Sequence, residues 1–217
     1  MFLHAGSGNA RMWEHQSPAF TAAGFRFLAY DRRVEGSAVA ELEAFAEDHA
    51  LDRFHLVGTA AGGIVAVDYA LSHPERLRSL VVANSIVGVQ DEEYLEMTRR
   101  VRPAPEFNAI PAEIRELGPA YRATNAAGLA RWKSLAQHVT PQATRNRITF
   151  ASLQTIKTPT LLITGDADLY TPPPVLRLLA ARFPNCESLV IPECGHSAFW
   201  EQPEQFNRAV LDFILKH

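Results

Sequence analysis

Short apolar runs recur along the chain, at residues 2–4, 25–30, 54–57, 80–83, 160–164 and 188–191. Most are apolar at odd and even positions alike. That pattern predicts strands covered on both faces, as in a parallel sheet; a half-exposed strand would alternate with polar residues. Between the runs the period changes to that of a helix. In residues 37–49, Val39, Leu42, Phe45 and Ala46 share a face, and in residues 203–215 Phe206, Val210, Phe213 and Ile214 form one stripe. Residues 62–71 and 172–182 read as two more helices, the second opening on prolines suited to a first turn. Strand–helix alternation predicts an α/β fold, a mostly parallel sheet with helices on both faces.

Residues 90–149 break the alternation. The stretch is polar, helical in pattern and punctuated by Pro103, Pro105, Pro111, Pro119 and Pro141. Short helices are predicted at 91–100, 111–117 and 126–138. A span of about sixty residues is far longer than the usual crossover between strands. The division that follows is a core of residues 1–87 and 150–217, with a helical lid at 88–149 lying over the strand ends.

Composition narrows the class without changing the fold. The 217 residues suit one domain, and 47% hydrophobic with 21% charged residues describes a globular chain. Lys plus Arg number 21 against 24 Asp plus Glu, a net charge of −3, so no overall basic field exists for nucleic acid or an anionic membrane. No apolar run approaches the roughly 18 residues of a membrane span. The first residues lack the basic and apolar regions of a secretion signal. Two cysteines, Cys186 and Cys194, give no disulfide framework, and a cytoplasmic location is expected. No metal-ligand spacing is present, and neither metal nor cofactor is expected.

Chemistry enters at residues 54–63, Phe-His-Leu-Val-Gly-Thr-Ala-Ala-Gly-Gly. This reads as a strand, a sharp turn and a helix, with the Gly-x-Ser-x-Gly spacing of a nucleophile elbow, except that Ala60 stands where the serine belongs. Asp168 follows the strand at 160–164 and His196 follows the strand at 188–191. In a parallel sheet such positions collect at one edge, where ligands bind. His4-Ala5-Gly6-Ser7-Gly8, after the first strand, forms a loop of small residues with free amides.

Taken in order, these segments resemble the α/β-hydrolase fold superfamily over nearly the whole chain. They are the His4-Ala5-Gly6 loop with Trp13 after it, Tyr30-Asp31-Arg32-Arg33, the elbow, the acid segment 159–168, Gly195-His196 and Glu201-Gln202-Pro203-Glu204. The likeness is greatest to the branch of lid-bearing esterases, enol-lactonases and carbon–carbon-bond hydrolases. The resemblance implies roles. Asp168 orients His196 and stabilises its cation; His196 is general base, then acid; the amides of Gly6 and Ala61 form an oxyanion hole. Asp166 is the alternative acid, better read as a partner of loop amides. Cys194 lies on the wrong strand for a nucleophile, and the Thr59 hydroxyl should point away from the elbow's tip. The other seven histidines read as surface residues. Trp13, Tyr121, Trp132 and Trp200 are candidate walls of an apolar pocket, for a small apolar or aromatic ester-like substrate. Arg99, Arg100 and Arg102 read as a solvated helix end.

The chain departs from that pattern in three places. Ala60 offers no attacking atom. The chain opens on what is normally the family's third strand, and the loop after Asp31 is short. Two accounts of Ala60 follow. One is an acyl hydrolase of esters, lactones or diketones inactivated by Ser-to-Ala replacement. The other is a protein that dispenses with serine, a small-molecule binder or a His–Asp dyad enzyme such as a cofactor-free oxygenase or lyase. Oligomeric state is not legible.

Overall fold

Residues along each strand alternate between two apolar cores, and that alternation sets the architecture. The computed structural model describes residues 1–32, 36–102, 106–137 and 143–217. Five strands form one sheet: β1 (Phe2–Leu3), β2 (Phe54–Thr59), β3 (Leu77–Ala83), β4 (Thr160–Gly165) and β5 (Cys186–Ile191). They lie side by side in chain order, and every pair is parallel. Leu3, Leu56, Leu80, Val82 and Leu162 face one core. Phe2, Val57, Val81, Ala83, Leu161 and Ile163 face the other. Both faces are buried, so both are apolar, which is why the strands read as continuous runs.

Among the described residues, eleven α-helices join these strands. They are α1 (Gln16–Ala22), α2 (Ala38–Asp48), α3 (Ala61–Ser72), α4 (Glu92–Val101), α5 (Ala112–Glu116), α6 (Pro119–Thr124), α7 (Ala126–Leu135), α8 (Phe150–Leu153), α9 (Pro173–Ala180), α10 (Ala198–Glu201) and α11 (Pro203–Ile214). Helices α2, α3 and α9 supply the first core through Val39, Leu42, Ala66 and Leu176. Helix α2 starts where the Ser37 hydroxyl accepts from the Ala40 amide, at 3.4 Å. Helices α1, α10 and α11 supply the second core through Phe20, Phe199, Phe206 and Val210.

The segment 25–30 is not the strand its apolar pattern predicted. It makes an isolated bridge, Ala29 to Phe2, with one bond from the Phe2 amide to the Leu28 carbonyl (2.8 Å). Its one neighbour, β1, is two residues long and offers no ladder to extend. The other predicted strands are present, β3 and β5 starting earlier than read.

Between β3 and β4 the chain is helical, α4 to α8, with no strand among the described residues. Pro111 caps α5 and Pro119 opens α6. Helix α6 was not foreseen, and α7 ends at Leu135; His138 and the prolines at 103, 105 and 141 lie outside the described residues, as do residues 33–35 of the short loop after Asp31. Trp132 and Leu135 of α7 belong to the second core, so the insertion is docked on the sheet domain. No described helix is long and apolar enough to cross a membrane.

Candidate active site

The sharpest turn in the chain joins β2 to α3 at Ala60. Its backbone has φ 49° and ψ −116°, a conformation that suits glycine and costs other residues about 1–3 kcal/mol. Surrounding bonds hold it there. The Ala60 amide donates to the Ala83 carbonyl (2.9 Å), and its carbonyl accepts from the Ser85 hydroxyl (2.7 Å) and the Gly63 amide (3.0 Å). Two glycines let the backbones cross: a Cβ on Gly58 would stand 2.4 Å from the Gly62 carbonyl, and one on Gly62 would stand 2.3 Å from that of Leu3. Because Ala60 carries strain without a functional atom, Ala60→Gly is expected to stabilise the fold. Relief of the turn exceeds the added entropy of an unfolded glycine, for a net gain of about 1 kcal/mol. Denaturant melts measure it; a lower midpoint would show that the turn is relaxed.

Two loops at the same sheet edge bring Asp168 and His196 together. His196 Nδ1 lies 2.8 Å from Asp168 Oδ1 and 2.9 Å from Oδ2, which leaves Nε2 for the cavity beside it. Asp168 Oδ1 also accepts from the amides of Tyr170 (2.8 Å) and Thr171 (2.9 Å), and Oδ2 from Asn84 Nδ2 (3.0 Å). Burial alone would raise this carboxyl, but the His196 charge and these bonds outweigh it and hold it at about 2. Burial works against the His196 cation too, yet Asp168, with Glu116 and Glu201, raises the imidazole above its ordinary value.

Gly6 and Ala61 line the same cavity, and neither backbone amide has a hydrogen-bond acceptor among the described residues. His4 braces the Gly6 loop from beneath and is buried, not the surface residue expected. Its Nδ1 lies 2.7 Å from the Ala5 carbonyl, Nε2 accepts from the Arg32 amide (3.1 Å), and burial pushes its pKa down to about 4. His55 is half-buried on Ser79 (2.8 Å) rather than free in solvent. Asp166 Oδ1 accepts from the Cys194 amide (3.1 Å), and burial raises the Cys194 thiol. The Thr59 hydroxyl is buried without a partner among the described residues.

Above these groups lies a cavity of about 800 Å³. Trp132 is on its wall; Trp13, Tyr121 and Trp200 are not. The turn after β1 carries Trp13 down the second sheet face, against Phe2 (5.1 Å) and Phe199 (4.6 Å), where bulk fills the core. Trp200 is buried in that core and Tyr121 packs on its edge. Arg102 is not a solvated helix end: it lines the cavity, as does Arg115.

Three site residues were not foreseen. Asn84 ties β3 to both other loops, donating to Asp168 and to the Gly195 carbonyl (3.2 Å) and accepting from the Ala198 amide (3.3 Å). Glu201 accepts from Gly118 of the insertion (2.7 Å) and Gly195 (3.0 Å), clamping the helical block to the histidine loop. Glu116 closes α5 inside the cavity, and its carbonyl accepts from the His196 amide (2.9 Å). Burial raises the Glu116 carboxyl, opposed by the His196 cation. Asn84 and Glu116 carry no local motif, and the segment Glu201-Gln202-Pro203-Glu204 gives no hint of the role of Glu201. Their signal is contact across the fold.

Glu116 helps hold the proton on His196, so Glu116→Gln is expected to lower the imidazole's titration midpoint. NMR titration of the ring reads it directly. An enzyme needing neutral His196 would then keep its activity to lower pH. An unmoved midpoint would remove Glu116 from the electrostatics of the site. Among the described residues no group of three or more His, Cys, Asp or Glu could hold a metal ion.

Comparison with known proteins identifies the family. A model described as "Alpha/beta hydrolase family" matches residues 1–209. A 2-hydroxy-6-oxononadienedioate/2-hydroxy-6-oxononatrienedioate hydrolase of Burkholderia vietnamiensis is 28% identical over 249 residues, covering 100% of this chain and 86% of the relative. A pimeloyl-[acyl-carrier protein] methyl ester esterase of Aeromonas hydrophila is 27% identical, over 99% of this chain and 94% of its own length. A malate-bound thermophilic esterase from Thermogutta terrifontis superposes with a TM-score of 0.82 at 23% identity, over 99% of this chain and 88% of that one.

Proposed function

The chain belongs to the alpha/beta hydrolase family, and from that membership we propose that its cavity is an acyl-hydrolase site, for a carboxylic ester, lactone or carbon–carbon diketone, lacking the attacking hydroxyl. One observation carries this reading: Ala60, on its strained turn, shares a cavity with His196, which Asp168 holds, and with Gly6 and Ala61, whose amides have no acceptor among the described residues. A serine at position 60 would attack the substrate carbonyl and pass its proton to His196 Nε2. Asp168 would stabilise the resulting imidazolium, and the amides of Gly6 and Ala61 would hold the oxyanion. His196 would return the proton to the leaving group, and water would repeat the cycle on the acyl-enzyme. Residues 88–149 act as the lid, and the apolar walls, Trp132 among them, receive a small apolar or aromatic acyl group. The protein works in the cytoplasm. As written, the chain binds such substrates without forming an acyl-enzyme. Ala60→Ser assayed on activated esters, lactones and diketones tests this; a folded variant inert on all three overturns it.

A second reading is favoured by Glu116. A base on His196 and a second buried carboxyl in one cavity suit proton transfer without a nucleophile. Turnover or ligand binding by the Ala60 chain, lost in His196→Ala, would support that reading over the first.

A further inference from the structure

The geometry points to a carboxylate-binding end of this cavity, made by Arg102 and Arg115, so that the ligand is an acyl compound carrying a second, anionic terminus. The inference rests on reading the cavity as an acyl site. Two arginines of the helical insertion line the cavity, and both guanidinium groups lie near the Phe107 ring. Arg102 lies over the rings of Phe107 (5.7 Å) and Tyr170 (5.8 Å), and Arg115 over Phe107 (5.8 Å). Arg115 Nη1 donates to the Tyr170 hydroxyl (2.6 Å) and Nε to the Ile110 carbonyl (2.9 Å). Tyr170 in turn packs on the His196 imidazole, ring centroids 4.2 Å apart. The cationic pair is thus fixed one ring's width from the reacting end.

Among the described residues neither arginine forms an ion pair, and Arg102 Nε is buried with no acceptor. A buried donor without an acceptor is costly, and a guanidinium fork matches a planar carboxylate. The single acid among the described residues lining the cavity is Glu116, whose carboxyl burial pushes toward the neutral form. Pushed toward neutral, it leaves the two guanidinium charges to an anionic group of the ligand. Ile64, Ile86 and Ala112 on the same walls suit an apolar spacer between the two ends.

The Ala60 chain supplies the test, since an ester can bind without a serine to attack it. Calorimetry compares monomethyl adipate, a monoanion, with neutral dimethyl adipate. Charge-assisted hydrogen bonds to two arginines should favour the monoanion by about ten- to a hundredfold at low salt, shrinking as salt rises. Arg102→Gln and Arg115→Gln should each erase most of that preference, with far-ultraviolet circular dichroism showing that the variants fold. Equal affinity for both esters, a preference surviving both substitutions, or no binding of either at millimolar concentration overturns the inference. So does stronger competition by inorganic phosphate than by acetate. Failure of the hydrolase reading stands apart: an inert Ala60→Ser protein that keeps the charge preference would be a carboxylate binder. An active one lacking the preference would be a hydrolase without this subsite.

Discussion

Ala60→Ser should raise turnover of an activated short ester by about 10⁶-fold, the factor lost when a serine-protease triad loses its serine. That factor is about 8 kcal/mol of barrier. The gain should be available at once because everything around the missing atom is in place. The elbow is already strained, so serine needs no new backbone. The Asp168 bond to Nδ1 leaves Nε2 of His196 to receive the proton. Two signatures identify the mechanism: an initial burst of product, and an acyl adduct on residue 60 seen by mass spectrometry. Hydrolysis at the parent rate, with the dyad intact by NMR, would mean that the cavity's geometry does not fit acyl transfer.

In that serine variant, Asp168→Asn should cost about 10⁴ in kcat. The carboxylate accepts from Nδ1–H and so keeps the proton off Nε2, where the base is needed. An amide turned to keep its bonds from the Tyr170 and Thr171 amides would present its NH2 to Nδ1, and the imidazole would take the wrong tautomer. KM should change little, since the carboxylate does not reach the substrate. The carboxyl's fall from its ordinary 3.8 to about 2 adds a second readout. A depressed carboxyl stabilises the fold above pH 3.8, and that stability drains away as pH falls toward 2. The Asn variant should therefore lose this part of the parent's acid sensitivity. A small kinetic penalty would show that His196 does not depend on Asp168 for its tautomer.

What the sequence shows and hides follows from how far each signal reaches. Strands β2 to β4 are legible because burial on both faces leaves apolar runs, and the half-exposed β5 is legible from Leu189, Val190 and Ile191 alone. The run at 25–30 has the same composition, but its fate depended on a neighbour only two residues long. Ala60, Asp168 and His196 are legible because each ends or follows a strand, and strand order alone puts them at one edge. Asn84, Glu116 and Glu201 are not, because their meaning lies in partners up to 114 residues away. Trp13 shows the opposite failure. An aromatic after a site loop suggests a pocket wall, yet the direction of one turn sends it into the core. Arg102 reads as solvent-facing from its neighbours Arg99 and Arg100, and only the packing of Tyr170 and Phe107 shows otherwise.

Trp13's place in the second core has a consequence for how the molecule is made. Its neighbours there, Phe199 and Phe206, leave the ribosome almost two hundred residues after it. The Gln16 amide likewise waits for the Phe199 carbonyl and the Asn207 side chain. Until α11 emerges, the nascent chain exposes an apolar face that nothing local can cover. Contacts this distant in sequence form slowly, and chains caught in that interval are prone to aggregate. Synthesis of this protein therefore passes through a vulnerable stage that lasts until α11 has emerged, and during it chaperones would hold the incomplete sheet.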